Sequence, residues 1–96
     1  MKTRKNTIAV LIGLAAIAAA TPALAGPTCT SEPRERWIGE AQMKQKIAEM
    51  GYKNIKVFKV TNGNCYEIYG YTNNGKKAEV YFNPVTAAVV KAEIGK

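Results

Sequence analysis

Cys65-Tyr66-Glu67-Ile68-Tyr69-Gly70-Tyr71-Thr72-Asn73-Asn74-Gly75-Lys76-Lys77-Ala78-Glu79-Val80-Tyr81-Phe82 alternates apolar and polar residues on both sides of an Asn-Asn-Gly turn. Such a pattern specifies two antiparallel strands, each with one buried face. Two registers compete. A two-residue Asn74-Gly75 turn sets Tyr69 opposite Val80 and Glu67 opposite Phe82, which buries a glutamate. A three-residue loop, with Gly75 as a left-handed bulge, sets Ile68 opposite Val80 and Tyr66 opposite Phe82. A slip of one residue reverses every side chain, so the three-residue loop is expected.

Upstream, Ile55-Lys56-Val57-Phe58-Lys59-Val60 also reads as a strand, and Asn62-Gly63 signals a type I′ hairpin turn. That turn pairs Val60 with Cys65, Phe58 with Glu67, Val57 with Ile68 and Ile55 with Gly70. The core face is then Ile55, Val57, Tyr66, Ile68, Gly70, Ala78, Val80 and Phe82, broken only by Lys59 at its margin. The opposite face carries Phe58, Val60, Cys65, Glu67, Tyr69, Tyr71, Lys77, Glu79 and Tyr81.

Before these strands, Ala41, Met43, Ile47, Ala48 and Met50 fall on one helical stripe from about Glu40, with Gly51 as its left-handed stop. Lys44 lies inside that stripe and must snorkel outward. Trp37 and Ile38 read as a hydrophobic lid at the helix entrance. Tyr52 is placed to pack near the helix end. After the turn Asn83-Pro84-Val85-Thr86, Val90, Ala92 and Ile94 alternate with Lys91 and Glu93. Pro84 at the first position of a helix is the competing reading, but the cleaner alternation favours a strand. The expected fold is α+β: one N-terminal helix packed on a three- or four-stranded antiparallel β-meander, stapled by one disulfide.

The first 25 residues are set apart from this fold. Met1-Lys2-Thr3-Arg4-Lys5 is basic, Ile8 to Ala20 is apolar, and Ala23-Leu24-Ala25 offers small residues to a signal peptidase. The expectation is a signal peptide over 1–25, removed after Ala25, and a periplasmic or secreted product. An apolar run of about 13 residues is short of the roughly 20 that span a bilayer. Pro27 stands where a lipoprotein would need its cysteine. Residues 26–36 form a polar, proline-punctuated tail and 37–96 the folded domain.

The chain of 96 residues has 14 Lys+Arg, 7 Asp+Glu, no His and two Cys. Lys2, Arg4 and Lys5 belong to the leader, so the mature chain keeps eleven basic side chains against seven acidic ones, a net of +4. That is too little for a nucleic-acid-binding signature. In an oxidising compartment the two cysteines have one possible pairing, Cys29 with Cys65. Closing a loop of roughly 37 residues stabilises by about 4 kcal/mol in the chain-entropy model.

Catalysis lacks its ingredients. There is no His and no Asp, Ser31 is the only serine, and the glutamates are dispersed. Glu67 and Glu79 share a face, which raises acid/base work on a glycoside, but a solvated sheet surface accounts for them more simply. No catalytic residue, metal or cofactor is expected. The candidate binding face is Phe58, Glu67, Tyr69, Tyr71, Glu79 and Tyr81. Aromatic residues there suit a protein interface, but ordinary cross-strand stabilisation is the slightly better account of them. The disulfide should draw the tail over part of this face.

Gly51-Tyr52, then Cys65-Tyr66-Glu67-Ile68-Tyr69, then Gly75-Lys76-Lys77-Ala78-Glu79-Val80-Tyr81-Phe82-Asn83-Pro84-Val85-Thr86 resembles the small exported PepSY-domain proteins of bacteria. The likeness covers nearly the whole mature chain. It implies a helix on an antiparallel sheet and a role in restraining peptidases, since such domains occur in the pro-regions of thermolysin-type metallopeptidases. It brings no catalytic residues. Where the family has Asp-Pro-x-Thr-Gly, this chain has Asn83-Pro84-Val85-Thr86-Ala87, which costs about 1–2 kcal/mol if the final residue stays left-handed. The functional expectation is a non-enzymatic binding module, a peptidase inhibitor or regulator, with a peptidase or another envelope protein as partner. The alternative is a cationic envelope-associated protein that binds anionic lipid or glycan.

Overall fold

A computed structural model describes residues 26–95; the leader read over residues 1–25 lies outside them. A single 3-10 turn over Arg34–Arg36 precedes helix α1, Glu40–Glu49. Four strands follow: β1 Tyr52–Val60, β2 Tyr66–Thr72, β3 Lys77–Phe82 and β4 Val89–Ile94. They form one antiparallel sheet in the order β1-β2-β3-β4. The C-terminal segment is therefore a strand.

Only Met43 and Ile47 of the helical stripe are fully buried. They are four residues apart, so they lie one above the other on the sheet-facing side, while Ala41 and Ala48 stay exposed. Lys44 does snorkel: its ammonium meets Glu40 at 2.9 Å and lies 5.3 Å from the centre of the Phe58 ring. Gly51, at φ 102°, ends the helix in the left-handed conformation expected of it. Beneath the helix, Tyr66, Ile68, Ala78, Val80 and Phe82 complete the core, flanked by Trp37, Ile38, Tyr52, Ile55 and Phe58. Trp37 stands edge-on to Tyr66 with ring centres 5.5 Å apart, and the Tyr66 hydroxyl donates to the carbonyl of Ile38. The lid is held by the core it covers.

The second hairpin has the expected register, with Tyr66 opposite Phe82, Ile68 opposite Val80 and Gly70 opposite Ala78. Gly75 takes φ 83° and donates its N–H to the Thr72 carbonyl at 2.9 Å. The first hairpin differs from the type I′ reading. Val60 pairs with Tyr66, Phe58 with Ile68 and Val57 with Tyr69. Its loop also has three residues. Asn64 adopts φ 61° and donates to the Thr61 carbonyl at 3.0 Å, so Asn64, and not Gly63, supplies the left-handed residue. The one-residue shift turns Phe58 to the helix side and Val57 and Lys59 to the other. A bulge between Lys53 and Val57, with Asn54 at φ 53°, then brings Ile55 back against Gly70.

The turn after β3 keeps a left-handed final residue without the glycine: Ala87 has φ 71° and is buried. Asn83 organises it. The Asn83 side-chain oxygen accepts from the N–H groups of Val85 at 2.8 Å and Thr86 at 3.3 Å, and its carbonyl accepts from Ala87 at 2.7 Å. Relief of left-handed strain exceeds the entropy that glycine adds to the unfolded chain. Ala87→Gly also deletes a buried methyl group, worth about 0.8 kcal/mol. The two effects offset, so the stability read from the urea midpoint should change by less than about 0.5 kcal/mol.

Candidate functional site

The face of the sheet away from the helix is assembled from alternate residues of all four strands. Lys59 stands opposite Glu67, Val57 opposite Tyr69, and Glu67 in turn opposite Tyr81. Tyr69 pairs with Glu79, Tyr71 with Lys77, and Glu79 with Glu93. Of the six residues expected on a binding face, Glu67, Tyr69, Tyr71, Glu79 and Tyr81 occupy it. Phe58 does not. It is tilted against Tyr66 on the helix side, with ring centres 4.9 Å apart, because the first loop holds one residue more than a type I′ turn.

The disulfide between Cys29 and Cys65, 36 residues apart in sequence, fixes the N-terminal tail to one end of this face. Around it the tail's backbone is hydrogen-bonded to the β1–β2 loop and to the turn after β3. Cys29 N–H donates to the Gly63 carbonyl at 2.9 Å, and the Asn83 amide donates to the Cys29 carbonyl at 3.1 Å. A carboxylate at position 83 could accept the same turn bonds but could not donate to Cys29. That gives Asn83 a physical reason to replace the family's Asp.

Gly63 is required by close approach: a Cβ there would lie 2.1 Å from the Pro27 carbonyl oxygen. Farther along, a Cβ on Gly26 would meet the Tyr81 ring and hydroxyl at 3.3 Å. The tail thus covers the Tyr81 end of the face, as the disulfide implied, and leaves the Tyr69 end open.

Glu67, which the sequence placed on a solvated surface, is withdrawn from solvent. It is only 3% exposed. Its partners are Glu79 and Tyr81 on β3 and Lys59 on β1, whose ammonium is 3.7 Å away and half-exposed. Burial pushes the Glu67 carboxyl above its ordinary range, and hydrogen bonding with Glu79 pushes it further. Glu79 is held below that range by its hydrogen bond with Glu67 and by those with Tyr81 and Tyr69. The two carboxyls are thus pushed apart in acidity, and the more buried one holds a proton more tightly than its neighbour. The Tyr81 hydroxyl donates to Glu79 at 3.1 Å, and burial together with the two carboxylates raises it well above an ordinary phenol.

Tyr69, 43% exposed, divides what remains. On one side an open depression of about 640 Å³ includes Val57, Tyr71, Lys77, Glu79 and Glu93 in its wall. On the other a polar one of about 320 Å³ lies among Lys59, Asn62, Glu67 and Tyr81. The alternation of the strands carries no sign of these depressions. Among the described residues no group of three or more metal-ligating side chains converges. Two carboxyls and two phenols in mutual contact can hold and relay a proton.

Because folding raises the pKa of Glu67, this residue contributes stability below its ordinary 4.5 and loses that contribution as pH rises through the folded value. Glu79 acts oppositely, contributing above 4.5 and losing that as pH falls through its lowered value. Glu67→Gln keeps the size and the hydrogen bonding but cannot ionise, and the half-exposed Lys59 contact it gives up is worth little. It should stabilise the chain at about pH 7, with the advantage gone by about pH 4. Urea midpoints across that range check the sign.

A family model described as peptidase propeptide and YPEB domain matches residues 9–93. No curated protein and no solved structure matches the chain. The matched span takes in α1, all four strands but the last residue of β4, and both cysteines, and the chain belongs to the PepSY-domain family.

Proposed function

We propose that this protein is an exported, non-enzymatic module that binds a peptidase and restrains it, using the open half of the sheet face around Tyr69 and Tyr71. The family's description as a peptidase propeptide is the observation that carries the reading. It is supported by the exposed Tyr69 and Val57 beside an open depression, since aromatic side chains at the centre of a contact supply most of its energy. The tail withdraws Tyr81 from that contact, so the binding residues narrow to Tyr69, Tyr71, Val57 and the rim charges Lys77 and Glu79.

No comparable observation favours a cationic lipid- or glycan-binding surface. Lys44, Lys59 and Lys91 each lie against a glutamate, and no described helix is long and apolar enough to cross a membrane.

Export supplies the first test. The protein recovered from the exported fraction should begin at Gly26 and, without reductant, weigh less than the dithiol by its two thiol hydrogens. For binding, affinity capture from that fraction should enrich a peptidase with the wild type and lose it with Tyr69→Ala/Tyr71→Ala. Capture lists that are the same for the two proteins, or that hold no peptidase, would sink the assignment.

A further inference from the structure

The two edges of the sheet are built differently. β1 is guarded by its bulge, by the left-handed Asn54 and by Lys53, Lys56 and Lys59, the usual devices against pairing with another chain. β4 is the opposite edge, and every one of its residues is exposed. Its irregularity lies at its start, between the partners of Tyr81 and Phe82, so the ladder to β3 is regular from Lys91 to Ile94.

Backbone direction follows from one bond: Gly95 N–H donates to the Lys77 carbonyl at 2.7 Å. Alternate residues point the same way in an antiparallel ladder. The N–H and C=O groups of Lys91 and Glu93 therefore face β3, and those of Ala92 and Ile94 face outward. Among the described residues nothing pairs with them. The side chains divide as well. Ala92 and Ile94, opposite Val80 and Ala78, lie on the helix side but beyond its cover, leaving Ile94 45% exposed. Lys91 and Glu93 lie on the other side, 3.4 Å apart and largely in solvent.

This edge is complementary to itself. With a second copy antiparallel about a two-fold axis at Ala92, Lys91 falls opposite Glu93 of the partner subunit and Glu93 opposite Lys91 of the partner subunit. The Ala92 residues then exchange their outward N–H and C=O groups. Centring the axis on Lys91 or on Glu93 sets like charges against each other, so the charges select one register. We propose that β4 pairs with β4 of a second copy, joining the two sheets into one through an isologous contact. The proposal stands apart from whatever the Tyr69 face binds. A strand edge of this length buries less than the roughly 1,200–2,000 Å² of a stable complex, so the dimer is reversible and concentration-dependent.

Sedimentation velocity of the mature protein from micromolar to millimolar concentration is the test. The wild type should pass from monomer to dimer in that range. Lys91→Glu sets carboxylate against carboxylate and should weaken the dimer at least about tenfold, while Lys91→Glu/Glu93→Lys should restore it. Ala92→Pro removes an outward N–H and leaves the bonds to β3 intact, so it should give a monomer with the wild-type circular dichroism spectrum. A wild type that stays monomeric at millimolar concentration overturns the proposal, whether or not an added extended peptide then occupies the edge. So does a dimer indifferent to both Lys91→Glu and Ala92→Pro, or a charge swap that restores nothing.

Discussion

The bond between Cys29 and Cys65 holds in place a segment with almost no regular structure of its own, and the rest of the molecule has been shaped to receive it. Gly63 has no side chain because the Pro27 carbonyl crosses it, and Asn83 is an amide because the Cys29 carbonyl needs a donor. Asn64 adds a third contact, donating its side-chain N–H to the Thr30 carbonyl at 3.4 Å. These residues sit in two loops at the same end of the sheet. The cross-link therefore spans both hairpins, and its stabilisation is shared by elements that do not touch the sulfur atoms.

Two surfaces result from this arrangement. On the helix side, burial is ordinary: apolar side chains from α1 and three strands exclude water from one another. On the other side, the tail shields one end of a polar and aromatic face, and a carboxyl is buried on that face. Glu67 is tolerated there because another carboxylate can leave it the proton and because two phenols and a lysine stand nearby. Burial of such a group detracts from stability at neutral pH.

Much of this was legible in the sequence, for local reasons. The helix stop at Gly51, the Gly75 loop, the fourth strand and the cysteine pairing each follow from residues within a few positions or from a count of two. The second register was chosen to keep Glu67 out of the core. The register is right, yet Glu67 is buried all the same, on the other face, among Lys59, Glu79 and Tyr81. The first register was misread because Asn-Gly carries a strong hairpin preference. Here the glycine answers to Pro27, 36 residues earlier in the chain, and the left-handed position passes to Asn64. Phe58 changed faces as a consequence. The β1 bulge left no mark, since Asn54 and Lys56 are as suited to a plain exposed strand.

The tail also makes the chemistry of its own covering reversible. With the sulfurs reduced, Gly26 to Thr30 would be held to the sheet by a few peripheral hydrogen bonds, which water can replace. Solvent would then reach the side of Tyr81 that Gly26 faces, and the extent of the open aromatic surface would come to depend on the thiol–disulfide balance around the protein. A change of redox compartment is in this way also a change in how much of the sheet face is bare.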